Sequence, residues 1–225
     1  MELHKEYTGK LFNDLVQKQF GINDFIKVLN EKENHNGFQY KTGINTDNQE
    51  FVPKGTCKKG GLYFTNFIDV GLYLHYGKVF RRVTIPDDAR VYVEEYKYKA
   101  DKFILSPPIN IGKAILEQPK WIIEYMINWN WEIFCFLNNP PPEIALYALG
   151  IEPCLIKTIK KPTHEMIMQA VRSNGYCLQW ISDQTEEMCF EAVKSCPHSL
   201  AFVKKQTVDM CYEAIKRSGT SLKYV

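Results

Sequence analysis

The 225-residue chain carries 28 Lys and Arg against 26 Asp and Glu, a formal charge of +2, with 45% apolar and 24% charged residues. These values exclude a disordered charged tail, which has too little apolar content to form a core. They also do not fit a general nucleic-acid coat, which shows a strong basic excess. The length suits one large domain or two smaller ones.

The N-terminus, Met1-Glu2-Leu3-His4-Lys5-Glu6, lacks the apolar core of a secretory signal. The most apolar stretch, 121–137, is interrupted by Glu124, Asn128, Asn130 and Glu132. It is shorter than the roughly 20 residues that cross a bilayer, so a soluble protein without membrane contact is expected. The seven cysteines (57, 135, 154, 177, 189, 196 and 211) form no C-x-x-C pair. They read as reduced thiols packed as small apolar groups in a cytosolic protein. Cys196 and His198 are close, but no second pair accompanies them, so no metal site is expected.

In chain order, Leu11, Phe12, Leu15, Val16, Gln19 and Phe20 have helical spacing over about 10–20, and Gly21 can end that helix. Phe25-Ile26-Lys27-Val28-Leu29 reads as a strand. Asn36-Gly37 marks a tight turn, followed by the alternation Phe38, Tyr40. The run 57–65, Cys57-Lys58-Lys59-Gly60-Gly61-Leu62-Tyr63-Phe64-Thr65, is a turn entering a strand. Ile68, Leu72, Tyr73 and Tyr76 have helical spacing. Strands follow at 80–86, 90–93 and 99–105, and Ser106-Pro107-Pro108 closes the domain.

The C-terminal half is an internal repeat. Ala148, Ala170, Ala192 and Ala214 stand 22 residues apart, and eight residues after each lie Ile156, Leu178, Leu200 and Leu222. Ile144, Met166, Met188 and Met210 precede the alanines by four, each after an acidic residue. Thr163, Thr185 and Thr207, with Pro141 in the same column, suit helix N-termini. A more degenerate unit with Met126 in the alanine column makes five. Each unit predicts one α-helix, a stop, and a second short helical turn. One such unit cannot bury its own stripe, and stacked neighbours can. Met188, Phe190, Met210 and Tyr212 are accordingly expected to pack in the core.

Two resemblances follow from these residues. Glu187-Met188-x-x-Glu191-Ala192-Val193-Lys194 with Ser199-Leu200-x-Phe202-Val203 resembles the short helical repeats of giant-virus and amoeba-associated proteins of unknown function, over about 140–225. Upstream, 34–40 (Asn34 to Tyr40), 60–65 (Gly60 to Thr65), Tyr76-Gly77, Val83-Thr84-Ile85-Pro86 and Lys99-Ala100-Asp101-Lys102 resemble, in order, the N-terminal domain of mimivirus-type ankyrin-repeat proteins and their giant-virus relatives. The downstream repeat here has 22 residues and not the 33 of ankyrin. The resemblance therefore implies a domain identity and not a partner.

Candidate chemistry is sparse. Gly55 and Gly60 have phosphate-loop spacing, but Gly61 stands where Lys is required, so a turn with positive φ is the simpler reading. Gly61-Leu62-Tyr63-Phe64 loosely resembles a strand of ADP-ribosyltransferases. That resemblance implies nicotinamide dinucleotide on a split sheet, with His35 or Tyr40 at the ribose, Tyr63 on the nicotinamide, and Glu94 or Glu95 polarising the leaving bond. The residues themselves support a plainer view, with His35 as a locally bonded turn residue. Glu94-Glu95, beside Lys97 and Lys99, reads as a solvated turn. Lys58-Lys59 and Arg81-Arg82 are further basic pairs, and Lys160, Lys161, Lys204 and Lys205 sit at repeat junctions two units apart. A basic edge there would meet phosphates or an acidic partner. Trp129, Trp131 and Trp180 are candidate partner anchors, although their register favours core packing.

The expectation is thus an α+β domain over 1–115 and an all-α array of short helical repeats over 116–225. The N-terminal motif comprises His35, Asn36, Gly37, Phe38, Tyr40, Gly60, Gly61, Tyr63 and Phe64. The expected function is that of a non-catalytic giant-virus adaptor without cofactor or metal, acting through protein partners in an assembly for transcription, translation or particle building. Its expected place is the host cytoplasm (the viral factory) or the virion. The alternatives are the dinucleotide-binding enzyme and an RNA-associated factor using the basic edge.

Overall fold

A computed structural model describes residues 1–20, 24–54 and 59–225. The expectations at Gly21, Gly55, Cys57 and Lys58 lie outside the described residues, as do the side chains of Gln19 and Phe20. The chain divides into two compact units, Met1–Ala114 and Ile115–Val225.

The first unit is built on strands β1 (Glu6–Thr8), β2 (Phe25–Leu29), β3 (Asn34–His35), β4 (Phe38–Gln39), β5 (Gly43–Thr46), β6 (Leu62–Asn66), β7 (Val79–Thr84), β8 (Arg90–Val93), β9 (Tyr98–Ala100) and β10 (Lys102–Pro108). Helix α1 (Gly9–Phe20) follows β1. Eight strands form one antiparallel sheet in the order β1-β8-β9-β6-β2-β7-β10-β5, and β3 and β4 form a separate hairpin. Between β3 and β4, Asn36 and Gly37 have φ of 50° and 81°, the left-handed pair that a tight two-residue hairpin turn needs.

All five residues of β2 are buried, as its central place in the sheet requires. Phe12 and Val16 of α1 are buried, and the Phe12 ring lies 5.2 Å from Phe25 and 5.3 Å from Tyr98. Phe64 completes this aromatic core, 5.4 Å from Phe25. Leu11 is exposed, so the apolar stripe of α1 is narrower than its spacing predicts.

Two expectations are corrected here. Residues 99–105 form not one strand but the ends of two, β9 pairing with β6 and β8 and β10 with β7 and β5. A bend at Asp101 separates them, with Asp101 Oδ1 accepting from the Arg90 amide at 2.9 Å. Ser106-Pro107-Pro108 belongs to the end of β10 and does not lie beyond it. The helical spacing at 68–76 is realised as a 3-10 helix, Ile68–Tyr76.

Helix α2 (Ile111–Leu116) follows β10 in the chain. Five two-part modules follow. Their α-helices are α3 (Lys120–Trp129), α4 (Pro142–Ile151), α5 (His164–Ser173), α6 (Glu186–Ser195) and α7 (Val208–Arg217). Each leads into a six-residue 3-10 helix: Trp131–Phe136, Pro153–Thr158, Gly175–Trp180, Pro197–Phe202 and Gly219–Tyr224. The hydroxyls of Thr163, Thr185 and Thr207 accept from the amides of Met166, Met188 and Met210 at 3.2–3.3 Å, so α5, α6 and α7 have side-chain N-caps, whereas α3 and α4 begin after Pro119 and Pro141 without one. One residue joins each α-helix to its 3-10 helix in an extended conformation. At Asn130, Glu152 and Asn174 its side chain also caps the 3-10 helix, at 2.9–3.1 Å.

The four alanines of the repeat column are fully buried, so helices approach closely where no side chain larger than methyl intervenes. Gln184 donates to the carbonyls of Leu178 and Phe202, and Gln206 does the same to Leu200 and Tyr224. These amides tie successive 3-10 helices together. Leu178 and Leu200 are fully buried, whereas Leu222 is 62% exposed. Met188 and Met210 are buried, Phe190 is half-buried, and Tyr212 is 67% exposed, contrary to the packing expected of it.

Candidate functional site: a cleft of amines and aromatic rings

Strands β2 and β6 pair at Phe25–Asn66 and Ile26–Thr65, and their described ladder stops there. Continued, the register would set Lys27 opposite Phe64 and Val28 opposite Tyr63. Instead the Lys27 side chain crosses the gap, and its Nζ donates to the Tyr63 carbonyl at 2.7 Å. Two cavities of about 60 and 440 Å³ open at this break and share Lys27, His35, Asn36 and Tyr63. Tyr73, Tyr76 and Lys97 are among the other residues lining the smaller cavity, and Tyr40, Asp47 and Gly61 are among those lining the larger.

The β3–β4 hairpin that borders the cleft is held by Arg81 on β7. Its guanidinium binds Glu33 through two contacts of 2.6 and 2.8 Å. The same side chain donates to Thr42 Oγ1 at 2.8 Å and to the Ser106 carbonyl at 2.6 Å. The planar fork of arginine suits this bidentate carboxylate contact.

Amines dominate the electrostatics. Lys27 is buried, its Nζ 4.8 Å from the Tyr40 ring centre, and burial pulls its pKa down to about 7. Burial, and then the nearby Lys27 charge, also lower the pKa of His35. Burial raises that of the Tyr40 phenol. The Nζ atoms of Lys97 and Lys99 lie 4.8 and 5.2 Å from the centre of the Tyr63 ring. Lys99 is fully buried and donates to the Val52 carbonyl at 2.9 Å. Its stem passes Gly61 (φ 130°), where an added Cβ would lie 2.6 Å from Lys99 Cε.

The structure brings the N-terminal motif together. His35, Asn36, Gly37, Phe38, Tyr40, Gly60, Gly61 and Tyr63 line the larger cavity, and Phe64 lines the smaller. His35 is therefore more than a local turn residue: its ring lies 4.9 Å from that of Tyr76. Glu94 is not solvated. It is buried, 3.7 Å from Lys97, and burial raises its pKa. Glu95 is exposed, and neither glutamate is among the residues described as lining the cleft. The carboxylate that a dinucleotide-cleaving site would place at Tyr63 is thus directed to a lysine. Lys27, Tyr73, Tyr76 and Lys97 were not among the site residues expected from the sequence, although Tyr76-Gly77 is one of the blocks that carry the resemblance. For Lys27 the signal is a lone cation inside the otherwise apolar run Phe25–Leu29.

In the repeat unit, Trp129, Trp131 and Trp180 are 51%, 40% and 38% exposed, so they do not pack in the core as their register favours. Lys160, Lys161, Lys204 and Lys205 are exposed, but the same columns read Asn138-Asn139 and Ser182-Asp183 in neighbouring units. Lys204 Nζ donates to the Ser182 carbonyl at 2.6 Å. The basic edge is therefore interrupted. The six described cysteines are free. Among the described residues no cluster of ligands suits a metal ion, and no helix is long and apolar enough to cross a membrane.

These features define a class: a sheet domain with an amine-lined cleft, followed by an α/3-10 repeat array. The chain belongs to the family of "Uncharacterized protein R869" of Acanthamoeba polyphaga mimivirus, with which it is 35% identical over 133 residues, 54% of this chain and 88% of that protein. It is also similar to two proteins of the same virus that carry the name ankyrin repeat protein. One, R868, is 37% identical over 78 residues, covering 34% of this chain and 39% of the relative. The other, L797, is 28% identical over 184 residues, covering 76% of this chain and 37% of the relative. The chain thus spans little more than a third of the length of these ankyrin-named relatives. No family model and no solved structure matches it.

Proposed function

We propose that the chain is a non-catalytic adaptor of a giant virus, whose repeat array presents a protein-binding surface within a larger assembly in the host cytoplasm or the virion. The ankyrin-repeat names of its relatives support an interaction role. The observation that carries the reading is on α3. Trp121, Tyr125 and Trp129 stand four residues apart, so they share one helix face, and they are 65%, 40% and 51% exposed. In the Trp121 column the later repeats carry Glu143, Glu165, Glu187 and Asp209. The aromatic residue there is not a requirement of the repeat, and exposed Trp and Tyr are typical binding anchors.

Affinity capture from infected host cells tests this reading. The wild-type chain should retain a stable partner, and Trp121→Ser with Trp129→Ser should release it without changing the fold by circular dichroism. Equal recovery of the same partner by the double variant would refute the assignment of this face. Recovery of the bait alone by the wild type would refute the adaptor reading.

A further inference from the structure

We propose that the cleft beside the β3–β4 hairpin binds a small planar aromatic anion, its ring among Tyr63, Tyr76 and His35 and its acid group received by Lys27. This goes beyond the adaptor reading, which assigns nothing to the sheet domain.

Lys27 is 6% exposed, and its one described hydrogen bond, to the Tyr63 carbonyl, uses one of three N–H donors. No carboxylate pairs with it among the described residues. An ammonium buried without a counter-charge is costly, and an anion supplied from outside removes that cost. A Met or Leu at position 27 would suit an apolar strand interior. Instead the β2–β6 ladder opens at this residue, and both cavities converge on its amine.

The rings set the rest of the ligand. His35 and Tyr76 lie 4.9 Å apart, and Tyr73 stacks on Tyr76 at 6.3 Å with planes 23° apart. Rings of this kind often cage cations, but Lys27 and Lys97 line the smaller cavity and no acid does so among its described residues; Lys97 is paired with Glu94 at 3.7 Å, which leaves Lys27 to receive the anion. Asp47, in the larger cavity, accepts from the amides of Gly61 at 2.6 Å and Gln49 at 3.1 Å. Its charge is thus held by the protein's own backbone. A volume of about 440 Å³ beside the smaller space is within the range of small-ligand sites.

Calorimetric titration of the full chain with 4-hydroxybenzoate, phenyl phosphate and adenosine monophosphate tests the proposal, with benzamide, acetate and inorganic phosphate as controls. At least one ring-bearing anion should bind in the submillimolar range, and benzamide and the ringless anions at least about tenfold more weakly. Preference for the benzoate or for the phosphates identifies the acid group. Lys27→Met should weaken binding by at least about tenfold. If that variant does not fold, His35→Ala and Tyr76→Leu at the rim serve instead and should weaken binding by a similar factor. The proposal is overturned if no ring-bearing anion binds, if benzamide or inorganic phosphate binds equally well, or if the folded variants keep wild-type affinity.

Discussion

Replacing Lys27 by Met should make the sheet unit more stable near neutral pH and less stable in alkali. A fall in pKa from 10.5 to about 7 means that charging this amine in the folded protein is disfavoured by roughly 5 kcal/mol relative to the unfolded chain. Met fills a similar volume without that cost, but it loses the bond to the Tyr63 carbonyl, worth about 1.5–3 kcal/mol when the amine is charged. The net gain at about pH 6 is therefore roughly 2–3.5 kcal/mol. The sign of the pH dependence follows from proton counts. Between about pH 7 and 10.5 the unfolded chain holds the Lys27 proton and the folded chain does not, so wild-type stability rises with pH in that window. Below about pH 7 both states are charged and this contribution is flat. The variant lacks the rise, so the two stability curves should converge and then cross as pH increases. Urea unfolding from about pH 6 to 10, followed by the NMR signals of Ile26 and Val28, isolates the sheet unit, because all four tryptophans lie in the repeat unit. Tyr40 is common to both proteins and drops out of the difference, whereas His35, whose pKa the Lys27 charge helps to lower, does not, so the crossing is read above the histidine range, from about pH 7.5 to 10. Parallel curves for the two proteins would refute the argument.

Three further outcomes follow from the packing. Leu200→Ala should destabilise the repeat unit by about 2–5 kcal/mol, because Leu200 is fully buried. Leu222→Ala in the same column should cost less than about 1 kcal/mol, since Leu222 is 62% exposed, and tryptophan-monitored denaturation compares the two. Thr185→Ala removes the cap on the Met188 amide and should cost about 1 kcal/mol, with Thr185→Ser restoring most of it. Arg81→Lys exchanges the two-point contact with Glu33 for a point charge and should cost about 2–3 kcal/mol. Hydrogen exchange should then report a looser hairpin at 34–39, and unchanged protection there would remove Arg81 from that role.

The repeat half was the more legible. Its columns of Thr, Met and Ala act within one turn of helix or against the adjacent unit, so a 22-residue register exposes them directly. The extended residues between the two helices of each module were less visible. The sequence predicts only a stop after each helix, whereas Asn130, Glu152 and Asn174 each cap the next 3-10 helix through their own side chains. The exposure of Trp129, Trp131 and Trp180 escaped the register because a period specifies a column, and the neighbouring unit decides what covers it.

In the sheet half the motif around His35, Asn36, Gly37 and Tyr63 was visible, while the cleft it borders was not. Two members of that cleft, Lys27 and Tyr63, are 36 residues apart and meet because a ladder ends between them. Glu94 shows the same limit. Four charges within 94–99 resemble a solvated turn, whereas the fold buries the carboxylate against Lys97.

By itself, then, the sequence determined the two-part organisation, the helical modules with their caps, the Asn36-Gly37 turn and the strand Phe25–Leu29. All of these follow from interactions between residues near in the chain or repeated along it. Only the tertiary structure decided where β2 and β6 part, that a buried amine spans the opening, and which aromatic residues remain uncovered. These depend on strand pairings and unit contacts across tens of residues, and no local pattern encodes them.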